Sequence, residues 1–144
     1  MTINETQDEL ISEFEVFGDW MEKYEYIIQL GKELPMIDEA YRREENLIRG
    51  CQAKVWLHAQ LVDGLVQFTA DSDALITKGL VSMVVKVLSG HPPDQIAEAD
   101  LYFIDRIGLK EHLSATRSNG LLSMVKQMKY YAMAFGSEQT SSKS

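Results

Sequence analysis

An α+β domain, with helices packed against a small antiparallel sheet, is the fold this sequence predicts, and three observations predict it. Two runs of alternating residues, Val55–Val62 and Leu65–Ala70, are joined by Asp63-Gly64, a dipeptide typical of tight hairpin turns. Apolar residues recur at three- and four-residue spacing on both sides of that hairpin, most regularly over 74–88 and 121–135. The length, 144 residues, suits one hydrophobic core and is short for two. We therefore read residues 1–144 as a single domain, with flexible ends expected at 1–7 and 136–144.

From Asp8 onward, Leu10, Phe14 and Phe17 mark the buried side of a first helix, with acidic residues between them. Gly18-Asp19 interrupts the pattern, and Asp19 is placed to cap a second helix starting near Trp20. Trp20, Tyr24, Ile27 and Ile28 give that helix its apolar face, Gly31 weakens its end and Pro35 stops it. A short helix is expected over 37–45.

In the first strand Val55, Leu57, Ala59 and Leu61 face one way, and Trp56, His58 and Gln60 the other. An isolated hairpin is marginal in water, so a third strand is expected, with Asn46-Leu47-Ile48 the nearest candidate. Asp71-Ser72-Asp73 reads as a turn and helix cap, Asp73 being the capping residue. Behind it, Ile76, Leu80, Met83, Val84, Val87 and Leu88 form a buried stripe, and Gly79 inside the stripe marks a close approach to another backbone. Ser89-Gly90-His91-Pro92-Pro93 breaks the helix. A short helix over 94–99 and a connector through Tyr102, Phe103 and Ile107 lead to the last strong helix, on which Leu121, Val125, Met128, Ala132 and Phe135 face the core.

The net charge of −8 argues against nucleic acid as the principal ligand. The chain has no 18-residue apolar run and its first residues do not resemble a secretory signal, so a soluble cytoplasmic protein without a membrane partner is expected. One cysteine, Cys51, excludes an intramolecular disulfide and offers no second thiol to resolve a mixed disulfide. His58, His91 and His112 are scattered without ligand spacing, so no metal site is expected.

A lone cysteine is most often a small buried apolar side chain. Around Cys51, however, Gly50 suits a turn that presents it, and Arg42, Arg43, Arg49 and Lys54 form a basic exception in an acidic chain, which favours a thiolate. Glu44 and Glu45 offset part of that effect. The residues alone leave both readings open.

A set of separated motifs adds to this. Glu45-Asn46-Leu47-Ile48-Arg49-Gly50-Cys51-Gln52 with Val55-Trp56 is followed by Asp71-Ser72-Asp73-Ala74, Lys78-Gly79-Leu80, Leu113-Ser114 and Arg117-Ser118-Asn119-Gly120-Leu121. From about Phe14 to Met133 the chain resembles the SufE family of sulfur-acceptor proteins, which assist cysteine desulfurases in iron–sulfur cluster assembly. The resemblance implies helices on a small antiparallel sheet, similar to the NifU-type scaffolds.

It also implies that Cys51 receives sulfur from a pyridoxal-phosphate-dependent desulfurase, carries it as a transient persulfide and passes it to an iron–sulfur scaffold, stimulating the desulfurase without binding a stable cofactor. Arg49, Gly50, Gln52, Lys54, Trp56, Asp73, Arg117 and Asn119 are then supporting or partner-facing residues. Arg49 and Lys54 would stabilise the thiolate or complement acidic groups on the donor, and Asn119 would equally serve as a helix cap. Many relatives have serine and glutamine where this chain has Ala53 and Lys54, a departure that bears on which desulfurase is used. The alternatives are a noncatalytic adaptor and, behind it, a thiol-redox regulator.

Overall fold

A computed structural model describes residues 1–34, 37–48 and 53–142, without the side chains of 138–142. Helix α1 (Ile3–Glu15) starts well before Asp8 because Thr2 and Glu5 close a capping box: the Glu5 N–H donates to Thr2 Oγ1 and the Thr2 N–H to Glu5 Oε1, each at 3.0 Å. Residues 3–7, expected within a flexible end, are thus helical and in part buried. Gln7 is fully buried and stitches α1 to the far part of the chain, donating to the Asp100 carbonyl at 3.0 Å and accepting from the Phe103 N–H at 3.2 Å.

Helix α2 (Trp20–Gly31) is capped as the sequence suggests, the Glu22 N–H donating to Asp19 Oδ1 at 2.9 Å. The single short helix expected over 37–45 is instead two 3₁₀ turns, Glu39–Tyr41 and Glu44–Asn46.

Strands β1 (Val55–Val62) and β2 (Leu65–Ser72) pair antiparallel from Val62↔Leu65 to Val55↔Ser72. Asp63 and Gly64 both have positive φ, 53° and 80°, the turn whose twist matches that of the strands it joins. The expected third strand does not form, and the sheet of the described residues is two-stranded. Leu47 makes one isolated bridge with Trp56, and the Ile48 N–H donates to the Val55 carbonyl at 2.9 Å. Pairing goes no further upstream because residues 44–46 are already wound into a 3₁₀ turn. Helices, not a third strand, supply the cover that the hairpin needs: α3 (Leu75–Leu88) packs on β2, and α7 (Ala115–Ser142) touches β1.

All six residues of the stripe expected on α3 are buried. Its Gly79 crosses Gly31 of α2 so closely that a Cβ on Gly31 would lie 2.8 Å from the Gly79 nitrogen, and a Cβ on Gly79 would run into the Ile27 carbonyl. Ser82 of α3 donates to the Leu30 carbonyl at 2.9 Å across the same crossing.

After α3 the chain folds back on β2, the Gly90 N–H donating to the Val66 carbonyl at 2.8 Å and the Val66 N–H to the His91 carbonyl at 2.9 Å. Pro93 opens α4 (Pro93–Glu98). The expected connector contains two short helices, α5 (Phe103–Ile107) and α6 (Leu109–His112), separated by Gly108 at φ 88°. Helix α7 then buries Leu121, Met124, Met128 and Ala132, and its backbone remains helical through Ser142, past the expected frayed start at Gly136. No helix of the described residues is long and apolar enough to cross a membrane.

Candidate functional site

Arg49, Gly50, Cys51 and Gln52 lie outside the described residues; the frame that holds them does not. Upstream, Ile48 is hydrogen-bonded to Val55. Downstream, the Lys54 N–H donates to Asp73 Oδ1 at 3.0 Å, and the Asp73 N–H donates back to the Lys54 carbonyl at 3.2 Å. The chain therefore leaves the sheet at Ile48 and returns to it at a neighbouring position.

Asp73 does not cap α3, as the sequence suggested. The cap residue is Ala74, which offers no side-chain acceptor, while Ser72 Oγ accepts the Ala74 N–H at 3.3 Å. The Asp73 carboxylate is turned to Lys54, a pairing between distant positions that no local pattern signals. Asn119 is also no cap: it is exposed inside α7, and Ser114 takes the capping role by accepting the Arg117 N–H at 3.2 Å.

Beside this frame lies a cavity of about 350 Å³ between the start of β1, the β2–α3 corner and the start of α7. Val55, Leu80, Leu121 and Met124 give it apolar walls, and Asp73 and Arg117 contribute charge. Ala53 lines it too, so the cavity opens next to the cysteine segment. Arg117 makes no ion pair with any described residue. The structure thus gathers Asp73, Arg117 and the neighbourhood of Lys54, which is itself exposed.

Trp56 points to the opposite face of β1, where the Arg42 guanidinium lies 4.9 Å from its ring centre. Arg42 Nη2 also pairs with Asp71 Oδ2; Lys78 Nζ sits 3.3 Å from Asp71 Oδ1, which in turn accepts the Ser72 N–H at 2.8 Å. Burial pushes the Asp71 carboxyl up, but the hydrogen bonds from Arg42, Ser72 and Lys78 together outweigh it and hold the group below its usual value. The Arg42–Asp71–Lys78 cluster was not read from the sequence. A signal for part of it existed: the two-residue turn at Asp63-Gly64 fixes the register that sets Asp71 opposite Trp56.

The Asp71 side chain is only 5% exposed, so Asp71→Asn strands two cations beside a neutral amide. With both partners about a third exposed, the expected loss is about 2–3 kcal/mol, below the full cost of breaking a wholly buried pair. Urea unfolding at neutral pH measures it.

His58 stacks on Tyr41, ring centres 3.5 Å apart and planes 7° from parallel, and its buried Nε2 has no hydrogen-bond partner among the described residues. Burial lowers its pKa, as it does that of His91. The unfolded chain then binds more protons than the native one below about pH 6.5, so stability falls as pH drops through that range. The urea midpoint should decline from about pH 7.5 to about pH 5.5, and His58→Phe should flatten part of that slope. The Asp71 contribution has the same direction but is present above the usual carboxyl pKa of about 4 and is lost only below it.

His112 is elsewhere, stacked on Trp20 at 4.4 Å with Nδ1 2.9 Å from the Gly108 carbonyl. Among the described residues, no three His, Cys, Asp or Glu side chains are grouped to hold a metal ion.

A family profile described as "SufE: Fe-S metabolism associated domain" matches residues 8–132. The chain belongs to the SufE family. It is 42% identical over 127 residues to an uncharacterized SufE-like protein of Rhizobium etli, covering 85% of this chain and 86% of that protein. An uncharacterized SufE-like protein of Rhizobium meliloti is also 42% identical over 127 residues, with 85% and 91% covered. The solution structure of a hypothetical protein from Thermus thermophilus superposes with a TM-score of 0.74 at 17% identity, over 90% of this chain and 94% of that one. That last likeness establishes a shared α+β fold. SufE membership places this chain among proteins associated with iron–sulfur metabolism.

Proposed function

We propose that this protein is a sulfur acceptor and carrier acting between a pyridoxal-phosphate-dependent cysteine desulfurase and an iron–sulfur cluster scaffold, in the cytoplasm. The desulfurase presents a persulfide. The Cys51 thiolate attacks its outer sulfur, a new S–S bond forms at Cys51 as the donor's S–S bond breaks, and the donor cysteine leaves as a thiolate. No electrons are gained or lost overall. Clearing the donor readies the desulfurase for another turnover, which makes this protein its activator, and the scaffold takes the same sulfur by a second exchange.

One observation carries the reading: within the span matched to the SufE family, this chain has a single cysteine, and it is Cys51. The surroundings support it. Pinned flanks at Ile48 and Lys54 confine the ends of the carrier segment, and the neighbouring cavity offers apolar walls with Arg117, which forms no ion pair with a described residue. In this reading Arg117 and Lys54 favour the anionic forms of the thiol and persulfide, and Arg49, Gly50 and Gln52 shape the segment that presents them. Trp56 and Asp73 hold its base, and Asn119 faces the partner.

The test is to mix the protein with a persulfidated desulfurase and follow its intact and peptide mass. The expected result is a gain of one sulfur atom on the Cys51 peptide, removed by dithiothreitol, together with faster desulfurase turnover. An adaptor would raise turnover without the mass gain, and a redox regulator would form a sulfenic acid with peroxide while taking no sulfur from the desulfurase; absence of the mass gain in either form overturns the proposal.

A further inference from the structure

We propose that residues 37–48 form a strap across the open face of the hairpin, latched by Arg42, and that Arg42 is a positioning residue which preorganises the segment carrying Cys51 for its partner; the inference rests on the reading of Cys51 as the sulfur carrier. The strap is anchored by apolar side chains only at its ends, Ile37 and, packed against the core, Ile48. Ile37 is buried, but residues 38–41 and 43–45 are exposed. Among the described residues, it is fastened between those ends by a small set of specific contacts on the outer face of the sheet, and at Leu47 and Ile48 by backbone pairing with β1. Tyr41 stacks on His58, and Arg42 lies over Trp56 while pairing with Asp71. Asn46 braces the strap internally by donating to the Tyr41 carbonyl at 2.7 Å.

Arg42 therefore occupies the point at which both strands are gripped at once, since Trp56 on β1 and Asp71 on β2 face each other in the ladder. A segment whose middle is exposed and held by specific contacts opens locally at smaller cost than the core, so removing one fastening changes its order more than it changes the fold. The strap ends at Ile48, directly before Arg49. Leu47 bridges Trp56 and the Ile48 N–H donates to Val55 in between, so freedom gained at Arg42 reaches the cysteine segment by loosening that pairing, and it must be lost again when the thiol is aligned on a donor persulfide. Planarity matters here: a guanidinium can lie over an indole and reach a carboxylate together, which a lysine ammonium does not reproduce.

The test compares wild type with Arg42→Met, Arg42→Lys and Tyr41→Ala in two assays. In the free protein, the rate of Cys51 alkylation by iodoacetamide should rise several-fold in Arg42→Met and by less in Arg42→Lys. In the transfer assay with a persulfidated desulfurase, Arg42→Met should raise the concentration of this protein needed for half-maximal sulfur uptake by roughly 5–10-fold, while uptake at saturation stays within about twofold. A generally damaged fold would lower saturated uptake as well. Unchanged alkylation and half-saturation in a folded Arg42→Met protein would overturn the latch, and so would a lower half-saturation, because the strap would then restrain the segment instead of preparing it. Should Arg42→Met fail to fold, Arg42→Lys and Tyr41→Ala decide by the same criteria. If wild type takes up no sulfur, the carrier reading fails in the transfer assay, while the alkylation assay still reports on the latch.

Discussion

Gly79→Ala is expected to destabilise the domain by about 2 kcal/mol, lowering its melting temperature by roughly 5–10 °C. Elsewhere in a helix this substitution would stabilise by about 0.5–1 kcal/mol, because alanine restricts the unfolded chain and glycine does not. Here the added Cβ meets the Ile27 carbonyl carbon at 2.7 Å and Ile27 Cγ2 at 2.6 Å. A side chain can rotate away, but the main chain of α2 cannot move without disturbing Leu30, which accepts the Ser82 hydroxyl and is itself buried. Gly79→Val should cost more. Gly18→Ala is the control, because among the described residues no atom beyond its own chain neighbours lies within 4 Å of the position its Cβ would take. Thermal and urea unfolding followed by circular dichroism measure all three. A Gly79→Ala protein as stable as wild type would mean that α2 and α3 do not cross as closely as described.

That crossing also shows what kind of structure can be read from sequence. A glycine inside an otherwise strong apolar stripe has few explanations, and close backbone approach is the one that fits Gly79. The hairpin is legible for the same reason: Asp63-Gly64 between alternating runs meets both the steric and the pattern requirement, and the two positive φ angles follow.

Features set by tertiary context are less visible. Asn46-Leu47-Ile48 has a strand-like composition, yet the 3₁₀ turn over 44–46 leaves it a single bridge. Helices α5 and α6 are too short to show a period. The early start of α1 does carry a signal, the Thr2-x-x-Glu5 capping box, but the buried positions Thr6 and Gln7 are polar, so the apolar pattern fades there and residues 3–7 read as an end.

The site divides in the same way. Cys51 stands out through its motif and its uniqueness in the chain. Arg117 and Asp73 reach one cavity from distant positions, and in the sequence only the motif resemblance links them to Cys51. Asp71 reads as a turn residue, whereas it is the buried anion that joins Arg42 to Lys78. Its partners come from a strap and a helix that local patterns cannot relate to a strand.

Cys51→Ser is expected to reduce sulfur uptake to background. A serine hydroxyl stays protonated at neutral pH and is a far weaker nucleophile than a thiolate, so it neither attacks the outer sulfur of a persulfide nor forms the S–S bond that stores it. The fold should be retained. Cys51 lies between flanks fastened by other residues, through Ile48 to Val55 and Lys54 to Asp73, and the large fully buried side chains are supplied by the helices and the hairpin. The substitution therefore separates chemistry from architecture, which Trp56 or Asp71 variants would not do.

The decisive measurement is the mass of the Cys51 peptide after reaction with a persulfidated desulfurase, taken for wild type and Cys51→Ser side by side with circular dichroism of each. Sulfur carriage by Cys51 predicts one reducible extra sulfur on the wild-type peptide, none on the serine variant, and matching spectra. Equal sulfur transfer by the two proteins would contradict it.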